Sequence, residues 1–154
     1  MSLDTLITDA DLIVVGTADV TSPSRWNTSD GKLPGGTTVY SITPDKFIFT
    51  DINFNVSQVL KGEKNQNVVR IRSFGGVVEQ DQMIADAVIL KFGKNYLLFL
   101  LQDVRQSGNT DPIHYWTFGY QGIYEIADGK AISIGEEWVL EELIAYIEKS
   151  LSAE

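Results

Sequence analysis

FIFTDINFNVSQVLKG, residues Phe47 to Gly62, is followed within six residues by Val68-Val69-Arg70-Ile71-Arg72. In the first run Ile48, Ile52, Phe54 and Val56 fall on one face and Asp51, Asn53 and Asn55 on the other. That period of two marks a strand with one face in a core and one toward water. Phe47 and Phe49 share the polar face, so another part of the chain has to cover the start of the strand. Lys61-Gly62 turns the chain, and a second strand begins almost at once. Two long neighbouring strands joined by a short turn point to an antiparallel sheet.

Working outward, Leu12-Ile13-Val14-Val15 predicts a strand buried on both faces, and Gly16 a bulge where it bends. Before it, Ser2 can cap a short helix carrying Leu3, Leu6 and Ile7 on one side, with Asp4 well placed in the first turn. Residues 21–44 hold Pro23, Asp30-Gly31, Pro34 and Gly35-Gly36 and predict a long excursion. Tyr96–Leu101 is another buried strand. His114–Tyr120 and Gly122–Ile126 predict a strand pair, and Ala127-Asp128-Gly129-Lys130 a tight hairpin turn into Ala131–Ile134. From Glu136 to about Ser152, Leu140, Leu143, Ile144, Ile147 and Leu151 recur at helical spacing. The expected architecture is mainly β: one domain spanning residues 1–154, with an N-terminal helix over 1–10, a curled antiparallel barrel of six or seven strands over 11–135, and a C-terminal helix over 136–152.

Composition narrows the classes of function. With 154 residues the chain can bury one sizeable core. Its formal charge is −9; residues 136–154 carry six acids against one base, a net of −5, leaving −4 for the rest. An acid excess repels phosphate backbones, which argues against nucleic acid as a partner. The absence of cysteine removes disulfides, thiol nucleophiles and thiolate metal sites. The longest apolar run is too short to cross a bilayer, and the opening Met1-Ser2-Leu3-Asp4 lacks the pattern of a secretory signal. The chain is therefore cytoplasmic or has lost a leader.

The order ADLIVVGTADV (10–20), FNVSQVLKG (54–62), VRIRSFGG (69–76), GKNYLLFL (93–100) and GYQGIYEIADGK (119–130) resembles an uncharacterised group of bacterial and archaeal exported domains. Those are expected to be attached to the cell envelope and to fold as closed barrels of the oligonucleotide-binding (OB) type. That barrel is also similar to the netrin-like modules of tissue inhibitors of metalloproteinases. The resemblance spans residues 10 to 130 and rests on glycine turns and apolar strands. It implies an OB-like barrel and an extracellular or envelope location, anchored to a membrane if at all through a segment outside this chain. It maps no catalytic residue. The inhibitors chelate zinc through an N-terminal cysteine, and Met1-Ser2-Leu3 offers no such group.

Each candidate site has a plainer structural role beside the functional one. His114, the one histidine, could act as a base, but neither a nucleophile elbow nor metal-ligand spacing accompanies it, so a partly exposed strand residue is expected. Glu79, Asp81 and Asp86 could hold Ca²⁺ or serve a hydrolase, yet they lack the order of a calcium loop; a solvated acidic loop is the plainer role. Gly75-Gly76 is followed by no Lys-Ser/Thr, so it is no phosphate loop. Arg70 and Arg72 share a strand face and could clamp an anion, while cross-strand pairing with Asp51 or Glu125 is the commoner arrangement. The aromatics carry the ligand-binding expectation: if Tyr115 joins Trp26 or Tyr124 at the surface, they form a platform for a sugar ring or a protein, while the plainer role is that the barrel interior and the helix seam consume them. The expectation is thus a non-catalytic binding module for a protein or glycan, without cofactor. A hydrolase using the loop carboxylates is the first alternative, and single-stranded nucleic-acid binding the second.

Overall fold

A computed structural model of the chain describes residues 1–26, 48–79, 81–83, 90–103 and 113–153. The elements run α1 (Leu3–Asp9), β1 (Leu12–Thr21), β2 (Arg25–Trp26), β3 (Ile48–Lys61), β4 (Val68–Phe74), β5 (Gly76–Val78), β6 (Asp81–Met83), β7 (Asn95–Gln102), β8 (Tyr115–Thr117), β9 (Ile123–Ala127), β10 (Lys130–Ser133), β11 (Glu136–Val139) and α2 (Leu140–Ser152). Five of the strands close a barrel in the order β1–β3–β4–β8–β7 and back to β1. Every pairing in that ring is antiparallel except β4 with β8. This is an OB-like arrangement, with α2 packed outside the barrel.

β7 is the strand on which the fold branches. One edge pairs with β1 from Leu12–Leu100 to Thr17–Asn95. On the other edge Leu100–Gln102 pair with β8 while Asn95–Leu98 pair with β9. The β9–β10–β11 meander therefore leaves the barrel wall instead of closing it. Its first turn is the predicted hairpin: Asp128 and Gly129 have φ of 54° and 74°, as a type I′ turn demands.

Two cores result. Leu12, Val14 and Ala18 of β1 join Ile52, Phe54, Val69, Ile71, Leu98 and Leu100 inside the barrel. Ile13 points the other way, with Leu97 and Phe99 of β7, Leu60, Tyr124 and Ala131, onto Leu6 and Ile7 of α1 and Leu143 and Ile147 of α2. The double-faced apolar run at the start of β1 is explained by this arrangement. At Gly16 the β1–β3 register shifts, and an added Cβ would lie 2.0 Å from the Asn55 carbonyl oxygen. At α1, Ser2 accepts from the Thr5 N–H, and the Lys61 ammonium donates to the Ile7 and Thr8 carbonyls at the far end.

The structure departs from expectation at the C-terminal helix. Glu136–Val139 form β11, paired with Lys130–Ser133, and the helix starts only at Leu140, whose N–H donates to the Gly129 carbonyl. The pair of glutamates looks like a helix start locally, but the turn at Gly135, φ 71°, folds them back onto β10. Likewise β8 stops at Thr117 and Gly119–Gly122 make a 3-10 turn, so Tyr120 does not continue the strand face of Trp116.

Candidate functional site

The outer face of the β3–β4 pair carries most of the directed chemistry. Cross-strand partners there are Phe49 with Phe74, Asp51 with Arg72, Asn53 with Arg70, and Asn55 with Val68, while Ile52 and Ile71 alternate into the barrel. β2 adds Arg25 beside Phe49. Three of the chain's four arginines thus share one sheet face in an acidic protein. Arg72 donates from Nε and Nη2 to the two Asp51 oxygens at 2.8 and 3.0 Å and lies 3.7 Å from the centre of the Phe49 ring. Arg25 covers the same ring at 5.4 Å. Arg72, Asp51 and Phe49 are all buried. The guanidinium packed on Phe49 meets the requirement that the strand start be covered, and a fork-to-carboxylate pair satisfies both buried charges.

Arg70 is placed differently. It sits 3.8 Å from Asp51, beyond hydrogen-bond reach, and about a third of its side chain meets solvent. It borders an open cleft of about 530 Å³ that is lined also by Asp11, Asn53, Glu63, Gln66, Val68, Gln102, Ile113 and Tyr115. The cleft lies at the barrel seam, where among the described residues β4 pairs with β8 only through Ile71 and Tyr115. Val68 and Ile113 stand largely exposed at its lips. Beside Gln66, the Tyr115 pKa is pushed up, first by burial and then by the nearby Glu63 and Asp11 charges. The Asp11 carboxylate in turn accepts from the Gln102 N–H at 2.8 Å.

The three aromatics expected to bind ligand are not brought together at the surface. Trp26 is fully buried, paired with Ile48 on the inward side of β2. Tyr124 is also buried, in the second core, with its hydroxyl donating to Glu136 at 2.8 Å. Burial and that carboxylate push the Tyr124 pKa upward. Of the three only Tyr115 reaches a cleft, and it presents its hydroxyl end. Trp26 and Tyr124 are packed in the interior, Tyr124 on the side of the wall that the two helices cover, so they form no exposed stacking platform.

His114 is likewise buried, not half-exposed: its Nε2 lies 2.7 Å from Asp103 Oδ2 and its ring meets Trp116 edge-on at 6.2 Å. Glu79 stands in the turn between β5 and β6 with φ 54°, and Asp81 opens β6 opposite Val78. Asp86 lies outside the described residues, as does the side chain of Asp81. Among the described residues no group of three histidine, aspartate or glutamate side chains gathers as a metal site. Glu79, the loop acid whose side chain is described, is not among the residues lining the cleft.

Asp11, Glu63, Gln66 and Gln102 were not singled out from sequence. They sit at strand ends and in the β3–β4 turn, where only closure of the barrel brings them to one place. Comparison with protein-family models, with curated proteins and with solved structures finds no match. The class that the fold defines is a mainly β, OB-like closed barrel with an open cleft at one seam.

Proposed function

We propose that the chain is a non-catalytic binding module acting outside the cytoplasm, at the cell surface or envelope, with its partner held in the seam cleft. The observation that carries this reading is the composition of that cleft. Amides from Asn53, Gln66 and Gln102, the Arg70 guanidinium, two carboxylates and a tyrosine hydroxyl surround two exposed aliphatic side chains. Sites that hold a ligand combine apolar contact with a few directed polar groups in this way. Two acids against one arginine make it a poor seat for a phosphate backbone, so the partner is of protein or glycan chemistry. The resemblance to exported domains supports the location.

The test is to offer the protein a displayed library of random peptides and an array of glycans, in parallel with its Val68→Trp variant. Val68 is largely exposed, so the indole fills the cleft without entering the core. Ligands of the parent should bind the variant about tenfold more weakly, which corresponds to about 1.4 kcal/mol. Melting should stay unchanged. Ligands that bind both proteins equally would refute the cleft as the site. Loss of the protein from intact cells under external protease would support the location.

A further inference from the structure

We infer that the occupant of the cleft is an extended polypeptide, added as a strand along the edge of β4 that no described strand pairs at Val68–Arg70, with an acidic side chain set against Arg70. This rests on the cleft being the binding site and names the chemistry of what enters it. A strand has two edges. On one, β4 is paired with β3 at all seven positions from Val68 to Phe74. On the other, its single pairing is Ile71 with Tyr115, and no described strand runs beside Val68, Val69 and Arg70. An unpaired edge repeats backbone donors and acceptors along the strand at a spacing that a polypeptide matches in register, which sugar hydroxyls do not. Val68 and Ile113, both exposed, flank that edge as apolar contacts for an incoming side chain.

Arg70 supplies the charge selectivity. Both oxygens of its nearest acid, Asp51, already accept hydrogen bonds from Arg72. Its cross-strand partner, Asn53, is neutral. The guanidinium makes no hydrogen bond within the described residues, so its planar donors open onto the cleft with about a third of the side chain in water. That geometry suits a carboxylate better than any other side chain. At the floor, Glu63 and Asp11 both act on the Tyr115 hydroxyl, giving that side the opposite sign. The cleft is thus dipolar. Alternation makes the motif specific: Arg70 and Val68 lie on one face two residues apart, so the added strand places an acid and an apolar residue two positions apart, with a basic residue toward Asp11 and Glu63.

The experiment takes peptides selected from the random displayed library and synthesises each with its acid replaced by lysine. Binding is measured by fluorescence polarisation to the parent, to Arg70→Glu and to Arg70→Gln. The parent should prefer the acidic peptide about fivefold, as expected for a partly solvated pair. Arg70→Glu should reverse the preference and Arg70→Gln abolish it, the glutamine variant keeping the test readable if a glutamate beside Asp51 disturbs folding. Hydrogen exchange should slow at the backbone of residues 68–70 when peptide is bound. Peptides that bind without a charge preference, or without that protection, would overturn the inference while leaving a cleft-binding module. Glycan hits lost in Val68→Trp, with no peptide enriched, would do the same. Ligands indifferent to Val68→Trp would remove both readings.

Discussion

At Gly16 the constraint is space and nothing else. An alanine Cβ would meet the Asn55 carbonyl oxygen at 2.0 Å and the edge of the Phe54 ring at 2.9 Å. The obstacle is largely backbone, which cannot rotate aside, so β1 and β3 have to part. Gly16→Ala should cost about 3 kcal/mol, at the upper end of overpacking effects, and a urea midpoint will read it. Tyr124 carries a pH signature. Its pKa is raised in the fold, first by burial and then by the hydrogen bond and charge of Glu136. Above about pH 10 an unfolded chain gives up this proton while the folded one keeps it, so the folded state binds more protons and stability falls as pH rises. The contribution is complete below that pH and is lost through the window above it. Tyr96 and Tyr115, also raised mainly by burial, act in the same direction. Tyr124→Phe should cost about 1 kcal/mol at neutral pH through the lost hydrogen bond. It should also show a shallower decline than the parent between pH 9 and 11 in urea titrations.

Among the elements, α2 depends on packing more than on its own ends. Its N-cap, Val139, offers no side-chain hydrogen bond, and the Leu140 N–H is satisfied by the Gly129 carbonyl. Leu143 and Ile147 are wholly buried against Ile13, Leu97 and Phe99. Ile147→Ala should therefore destabilise by about 3 kcal/mol, against about 0.5 kcal/mol or less for Glu148→Ala on the exposed face, as thermal melts can compare. The stripe that makes this prediction was readable from spacing, as were the strands around Phe54 and Leu98, the bulge at Gly16 and the hairpin at Asp128-Gly129. β11 was not. Glu136 and Glu137 satisfy the local preference for a helix start, and only pairing with Lys130–Ser133 outweighs it. For the aromatics, spacing left surface platform and core packing both open for a related reason. Alternation states which residues share a face, but in a wall with a core on each side it does not say that both faces are dry. That Arg70 and Arg72 share a strand face, with cross-strand pairing to Asp51 the commoner arrangement, was readable from alternation, and Arg72 makes that pair. What separates the two, Asp51 committed to one and a cleft beside the other, depends on closure of the barrel.

Over the whole molecule, β1 and β7 belong to both cores at once. Val14 and Leu98 face the barrel interior while Ile13 and Leu97, their immediate neighbours, face the helices. Neither core can lose its packing without shifting a strand that the other requires. The barrel and the α1–α2 layer are thus expected to unfold together. Leu98→Ala empties volume in the first core and Leu97→Ala in the second; both side chains are fully buried. Each should cost about 2–5 kcal/mol. The informative comparison is between probes. Far-ultraviolet dichroism follows the sheet and helices, and tryptophan fluorescence follows Trp26 and Trp116 beside the barrel together with Trp138 near the helix. In the parent and in both variants the two signals should trace one transition with one midpoint. A helix layer that melted ahead of the barrel in Leu97→Ala, with dichroism leading fluorescence, would show the shared strands to be too weak a link and the two cores to be separate folding units.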